Sequence, residues 1–178
     1  MLKVYITDLA SYNSGALIGE WFSLPCDEEE LTLKIKQILT LGAKAVGDRY
    51  HEEWFITDYE WEDVNLFAVE EYEDIYKLNS NLGLIEDATS HNLKAIKFLL
   101  ENGMATDVED AVSKSGDVII HENQNMEDMA YELMEELYGV DKLPSIISNN
   151  INYESIARDL EIDGNYFVID DDIYEYVG

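Results

Sequence analysis

Met126-Glu127-Asp128-Met129-Ala130-Tyr131-Glu132-Leu133-Met134-Glu135-Glu136-Leu137-Tyr138-Gly139 is the clearest helix in this chain. Met126, Met129, Ala130, Leu133, Met134 and Leu137 fall at i, i+3, i+4, i+7, i+8 and i+11, which is one apolar helical face. Gly139 supplies a C-terminal stop. Working outward, Asp117-Val118-Ile119-Ile120-His121 precedes the helix as a strand. Pro144 interrupts after it, and Tyr153 to Leu160 is helical again. Tyr166 to Ile169 and Ile173 to Val177 then read as two final strands. A module of α+β class over residues 116–178 follows.

The N-terminal part reads similarly. Lys3 to Thr7 and Ala16 to Phe22 are strand candidates, with Tyr12-Asn13-Ser14-Gly15 as the turn between them. Asp27 caps a helix, with Glu30 three residues on as its reciprocal partner, and Leu31, Ile35, Ile38 and Leu39 share one face. Ala43 to Gly47 reads as loop, and Trp54 to Tyr59 returns as strand. A small sheet with one helix therefore fits residues 1–65. The middle, 66–115, reads as helical. Val69, Tyr72, Ile75, Tyr76 and Leu78 have helical spacing, and Leu93 to Leu100 follows with Gly103 as its stop. Asp107 to Val112 makes one more short helix. No internal repeat and no Pro- or Ser-rich linker separates these three small modules, which predicts close packing.

Composition narrows the function. The chain has 178 residues, 39 Asp and Glu against 11 Lys and Arg, and a net charge of −28. Leu, Ile, Val and Phe number 51, too many for a chain that cannot bury a core, so a folded acidic protein is expected. Ordinary nucleic-acid binding is excluded, because such proteins neutralise phosphates with Lys and Arg. Docking to anionic lipid fails by the same sign. Cys26 is the single cysteine, which fits a reducing compartment and supports neither an internal disulfide nor a thiolate metal site. No leader-type apolar region and no membrane-length apolar run is present, so a cytoplasmic protein is expected.

The charge is unevenly placed. Three stretches lack Lys and Arg: Tyr50 to Tyr76 with ten carboxylates, Ser115 to Asp141 with eight, and Asp159 to Gly178 with seven. Basic residues gather elsewhere, notably Lys34, Lys36, Lys44 and Arg49. On the Met126 helix, Asp128–Glu132, Glu132–Glu136 and Glu132–Glu135 are like-charge neighbours. Each such pair costs a helix roughly 0.2–0.5 kcal/mol. A face selected only for solubility would mix in Lys and gain that amount instead. Turn-to-turn neighbours lie about 5–6 Å apart at Cβ, and duplex DNA carries about one charge per 1.7 Å of axis, or 3.4 Å per strand. Acidic helical ridges therefore approximate a phosphate rail. By that measure 28 charges equal roughly 14 base pairs, and a dimer roughly 28.

Catalytic and metal chemistry is poorly supported. Asp159-Leu160-Glu161-Ile162-Asp163-Gly164, with Asp170 at the twelfth position, has the opening of a calcium loop. A calcium hand needs a following helix and usually a terminal Glu, whereas Phe167 to Tyr176 reads as strand. A helix end followed by a turn is the better reading. His51, His91 and His121 lack close ligand spacing, and Cys26 has no adjacent His. No glycine-rich phosphate loop occurs, and 39 acids offer too many pairs to single out a hydrolytic one. The aromatic residues Trp54, Tyr59, Trp61, Tyr72 and Tyr76 serve either core packing or contact with a partner.

Several segments together resemble the ArdA-type antirestriction proteins. They are Val4 to Leu9, Tyr12-Asn13-Ser14-Gly15, Leu17 to Phe22 with Pro25, and Ile56-Thr57-Asp58-Tyr59-Glu60. The likeness continues through Glu135-Glu136-Leu137-Tyr138-Gly139, Leu143-Pro144, Ile151 to Leu160 and Gly164 to Ile169. It spans most of the chain in the right order and is weakest from Lys36 to Arg49, which is longer and more basic than the family pattern. The resemblance implies an elongated three-domain dimer, carried by mobile genetic elements, that mimics bent B-form DNA. It implies binding in the DNA groove of Type I restriction–modification enzymes, with the family's antirestriction motif from Tyr131 to Pro144 and just beyond.

The combined expectation is a non-enzymatic DNA mimic with no cofactor, no metal, no nucleic acid and no membrane as partner. Its acidic surface is expected at Glu70, Glu71, Glu73, Asp74, Glu127, Asp128, Glu132, Glu135 and Glu136. A homodimer interface is expected at Val118, Ile119, Ile120, Met126 and Met129. An acidic adaptor that binds a basic protein without copying DNA geometry is the alternative reading.

Overall fold

The computed structural model describes residues 1–62 and 64–178. Asp63, one of the ten carboxylates between Tyr50 and Tyr76, lies outside the described residues. The fold is α+β, with two small antiparallel sheets and eight α-helices among the described residues. It divides into two compact units, Met1–Ser113 and Lys114–Gly178.

In the first unit, β1 (Leu2–Asp8) is the middle strand of a sheet ordered β2-β1-β3. Leu2, Val4 and Ile6 are fully buried, as period-two alternation demands of a strand with one face on the core. Asp8 ends β1 and caps α1 (Leu9–Asn13), accepting the Ser11 N–H at 2.6 Å. This helical turn occupies the start of the expected strand-to-strand connection. β2 (Gly19–Leu24) pairs with β1 from Thr7↔Gly19 to Leu2↔Leu24. A Cβ at Gly19 would lie 2.5 Å from the Ile6 carbonyl oxygen and 2.7 Å from the Tyr5 ring, so only glycine fits that entry.

The Asp27 carboxylate accepts the Glu29 and Glu30 N–H groups at 2.9 and 3.0 Å and starts α2 (Glu28–Val46). Glu30 pairs with Lys34 at 3.0 Å. Leu31, Ile35, Ile38, Gly42 and Ala43 form the buried face of α2. The loop expected over Ala43–Gly47 is instead the last turn of α2. Ala43 is core, and Gly47, left-handed at φ 84°, is where the helix stops. β3 (Trp54–Trp61) completes the sheet against β1, with a register irregularity between Tyr5 and Ile6.

The helical spacing expected from Val69 to Leu78 holds only in its second half. α3 (Ile75–Gly83) begins after Asp74, whose carboxylate accepts the Tyr76 and Lys77 N–H groups at 3.1 Å each. Upstream, the Glu71 carbonyl accepts from Ile56 N on β3 at 2.8 Å, which commits this backbone to the sheet. Val69 and Tyr72 consequently lie in irregular chain. α4 (Ser90–Glu101) and α5 (Val108–Lys114) follow. Ile75, Leu78, Leu82, Ala95, Ile96, Phe98 and Leu99 are each at most 2% exposed. Each large side chain removed from water in this way contributes about 1.5–3 kcal/mol.

In the second unit, β4 (Val118–His121) lies at one edge of a sheet ordered β4-β6-β5. α6 (Met126–Tyr138) has the expected bounds: Asn125 caps Asp128 N at 2.9 Å, and Gly139 ends the helix at φ 61°. α7 (Ser145–Ser148) is a single turn directly after Pro144. α8 (Tyr153–Asp163) stops at left-handed Gly164, and β5 (Tyr166–Ile169) and β6 (Asp172–Tyr176) form a hairpin. The calcium-like stretch is thus a helix end and a strand entry. Met126, Met129, Ala130, Ala157 and Ile173 make this unit's core, with Tyr153, Ile156, Leu160 and Tyr166 packed against it. No helix among the described residues is long and apolar enough to cross a membrane.

Candidate functional site

The acidic face of α6 is built by helical periodicity. Burial of Met126, Met129 and Ala130 turns Glu127, Asp128, Glu132 and Glu136 outward, and all four are exposed. Glu135 is different. It is half-buried, and its carboxylate accepts the Asp141 N–H at 2.9 Å, so it fastens the turn after Gly139. Tyr131 reaches Asp141 at 3.5 Å, and the Asp141 charge raises the pKa of its phenol.

The second group of acids lies in the first unit. Glu70 and Glu71 are exposed, Glu73 is half-buried, and Asp74 is exposed but occupied as the cap of α3. Tyr72 between them is 70% exposed and stacks on Phe55 with centroids 6.0 Å apart. Among the described residues none of these nine carboxylates holds a Lys or Arg; the side-chain pairs elsewhere include Lys3–Glu62, Glu30–Lys34, Lys97–Glu101 and Glu154–Arg158.

The five residues expected at a dimer interface divide by burial. Val118, Met126 and Met129 fill the core of their own unit at 4%, 7% and 5% exposure and leave little surface for a partner. Ile120 is half-buried. Ile119 is 43% exposed, because alternation along β4 turns it opposite to Val118. Further apolar side chains of the same unit are exposed: Leu137, Tyr138, Ile146 and Ile147.

A buried polar cluster escaped sequence reasoning. The Asp8 carboxylate, fully buried, receives the Ser11 backbone and hydroxyl and stands 2.9 Å from His51 Nδ1. His51 Nε2 meets Asp48 at 3.1 Å. The cluster ties the end of β1 to the loop between α2 and β3. A Cβ at Gly42 would come within 2.5 Å of both the Asp8 carboxylate and the Ser11 hydroxyl, so α2 presents glycine there. Because Asp8 accepts from both neighbours, Ser11 and His51 are not arranged as nucleophile and base. The 43 residues between Asp8 and His51 leave no local pattern to find.

Hydrogen bonding to Asp48, and then to Asp8, raises the His51 pKa above 6.5 against the opposing effect of burial. The folded protein therefore binds this proton more tightly than the unfolded chain. The stabilisation is complete below pH 6.5 and disappears as pH rises through the raised folded value. We expect the stability difference between the protein and His51→Gln, measured by denaturant unfolding, to shrink from mildly acidic to mildly alkaline buffer. A difference independent of pH would show that His51 acts only as a neutral hydrogen-bonding group.

No group of three or more His, Cys, Asp or Glu side chains able to hold a metal occurs among the described residues. The family model described as ArdA: Antirestriction protein (ArdA) matches residues 4–175. No curated protein matches the chain.

Proposed function

The chain belongs to the ArdA family of antirestriction proteins, and from that premise we propose that it acts as a DNA mimic in the DNA groove of Type I restriction–modification enzymes. The observation that carries this reading is the α6 face. Glu127, Asp128, Glu132 and Glu136 are exposed, unpaired with any Lys or Arg among the described residues, and aligned by the helix despite their mutual repulsion. Glu70, Glu71, Glu73 and Asp74 add a second acidic strip in the other unit. The basic lining of a DNA groove gains from such strips what it gains from phosphates. The chain then works by occupancy, without catalysis, in the cytoplasm where incoming DNA meets restriction. The three-module division at 1–65, 66–115 and 116–178 remains our proposal for how the mimic is segmented.

The test is displacement of labelled target duplex from a purified Type I methyltransferase. Competitive displacement, with duplex of about 14 base pairs per chain as an equivalent competitor, is the expected result. Binding that leaves the duplex in place would favour the acidic-adaptor reading.

A homodimer doubles the charged length and suits a two-fold, bipartite DNA site. Its contact is proposed in the second unit, at Ile119 and Ile120 on edge strand β4 with exposed Leu137 and Tyr138. Such a contact avoids the acidic faces, which would repel one another. Ile119→Glu with Leu137→Glu is expected to convert a dimer to a 20.4 kDa monomer in sedimentation. Dimers that persist in the double variant would move the interface elsewhere.

A further inference from the structure

Lys36, Lys44 and Arg49 gather on one surface of the first unit. Lys3, Lys34, Lys97 and Arg158 each have a carboxylate within 4 Å, at 2.9, 3.0, 3.6 and 3.8 Å respectively. Among the described residues Lys36, Lys44 and Arg49 have none, as is also true of Lys77 and Lys142, but only the first three share a pocket. All three line one open pocket of about 520 Å³ on the first unit. Lys36, Thr40 and Lys44, at i, i+4 and i+8, place one face of α2 along it. Arg49 and Tyr50 enter from the loop after Gly47. Asp48 is the one acid in the lining, and its carboxylate is held by His51 at 3.1 Å.

This arrangement selects a class of ligand. Three neighbouring cations with a single acid, Asp48, among them keep a net positive charge, and an anion placed there reduces their mutual repulsion. Eight residues of helix put the Lys36 and Lys44 backbones about 12 Å apart, more than one phosphate group spans. Tyr50, 70% exposed, and Leu39 supply an apolar border against which a ring can lie. A long polyanion such as DNA is repelled by the −28 charge of the rest of the chain, whereas a small ligand needs only this pocket.

We propose that this pocket binds a nucleoside polyphosphate, with its phosphates on Lys36, Lys44 and Arg49 and its base against Tyr50. The proposal is independent of DNA mimicry, since a basic pocket adds nothing to an acidic surface. It is tested by calorimetric titration of the full chain with ADP, pyrophosphate and adenosine, in chloride buffer of matched ionic strength. ADP is expected to bind about tenfold tighter than either fragment, and Lys36→Gln with Arg49→Gln to weaken ADP by about tenfold or more. Tyr50→Ala is expected to bring ADP down to the affinity of pyrophosphate. All three side chains are exposed, so these variants leave the core intact. Undetectable ADP binding, equal binding by the Lys36/Arg49 variant, or pyrophosphate as tight as ADP would each overturn the proposal. Loss of self-association in that variant, with no ADP binding by the parent, would overturn it in favour of a contact between two copies.

Discussion

Affinity for a Type I methyltransferase is expected to fall by about 10³–10⁵ between about 50 and about 200 mM salt, the loss typical of a protein that neutralises six to ten phosphates. The expectation follows from how the charge is held. Glu127, Asp128, Glu132 and Glu136 stand on one helix without Lys or Arg partners among the described residues, so cations from solution must gather along them. A DNA groove, for its part, attracts anions. Joining the two releases both sets of ions, and added salt makes that release progressively less favourable. The measurement is a binding isotherm at several chloride concentrations. An affinity that stays level across that range would mean that exposed apolar groups such as Leu137 and Tyr138 carry the contact, and mimicry would fail.

Amide substitution of Glu127, Asp128, Glu132, Glu135 and Glu136 together is expected to weaken inhibition roughly four- to a thousandfold, from about 0.2–1 kcal/mol for each of the four exposed charges. Single changes are then expected to cost less than about fivefold. Glu132→Gln serves as the reference, being exposed and flanked by Asp128, Glu135 and Glu136. Glu135→Gln keeps an oxygen able to accept the Asp141 N–H, so the turn after Gly139 survives. Helix stability offers a second readout. Removing the repulsive pairs around Glu132 gains roughly 0.2–0.5 kcal/mol per pair, while losing Glu127 and Asp128 from the first turn costs about 0.3–1 kcal/mol each through the helix dipole. These opposing terms nearly cancel, so the five-fold variant is expected to fold with little change in unfolding midpoint while inhibition collapses. Abolition of activity by any one amide, in a folded protein, would indicate a discrete recognition site instead of a distributed surface.

Local patterns carried much of the fold. The end of α6 follows from an apolar stripe and a glycine stop, and the structure has both at those places, with Asn125 as the cap at its start. The final hairpin and β1 were equally legible, because period-two alternation and turn chemistry are short-range properties. The exposure of four of the α6 acids follows from the same stripe: once one helical face is core, the opposite face is solvent.

What tertiary structure decided lies where two distant segments compete for the same backbone or the same space. Val69 and Tyr72 have helical spacing, yet the Glu71 carbonyl is taken by Ile56, and no local pattern announces a partner fifteen residues away. Glu135 reads like its acidic neighbours, but the chain folds back so that Asp141 N–H reaches it. Val118, Met126 and Met129 look as available to a partner as Ile119 does; only the packing of α8 and β6 against α6 assigns the two methionines to their own core. The Asp8–Ser11–His51 cluster and the cation pocket beside it depend on α2 bringing Gly42, Lys36 and Lys44 to the loop at Asp48–His51. Helix periodicity and capping were therefore determined by the sequence read locally, whereas burial against distant elements, and with it the identity of the free charges, arose only when long-range contacts closed.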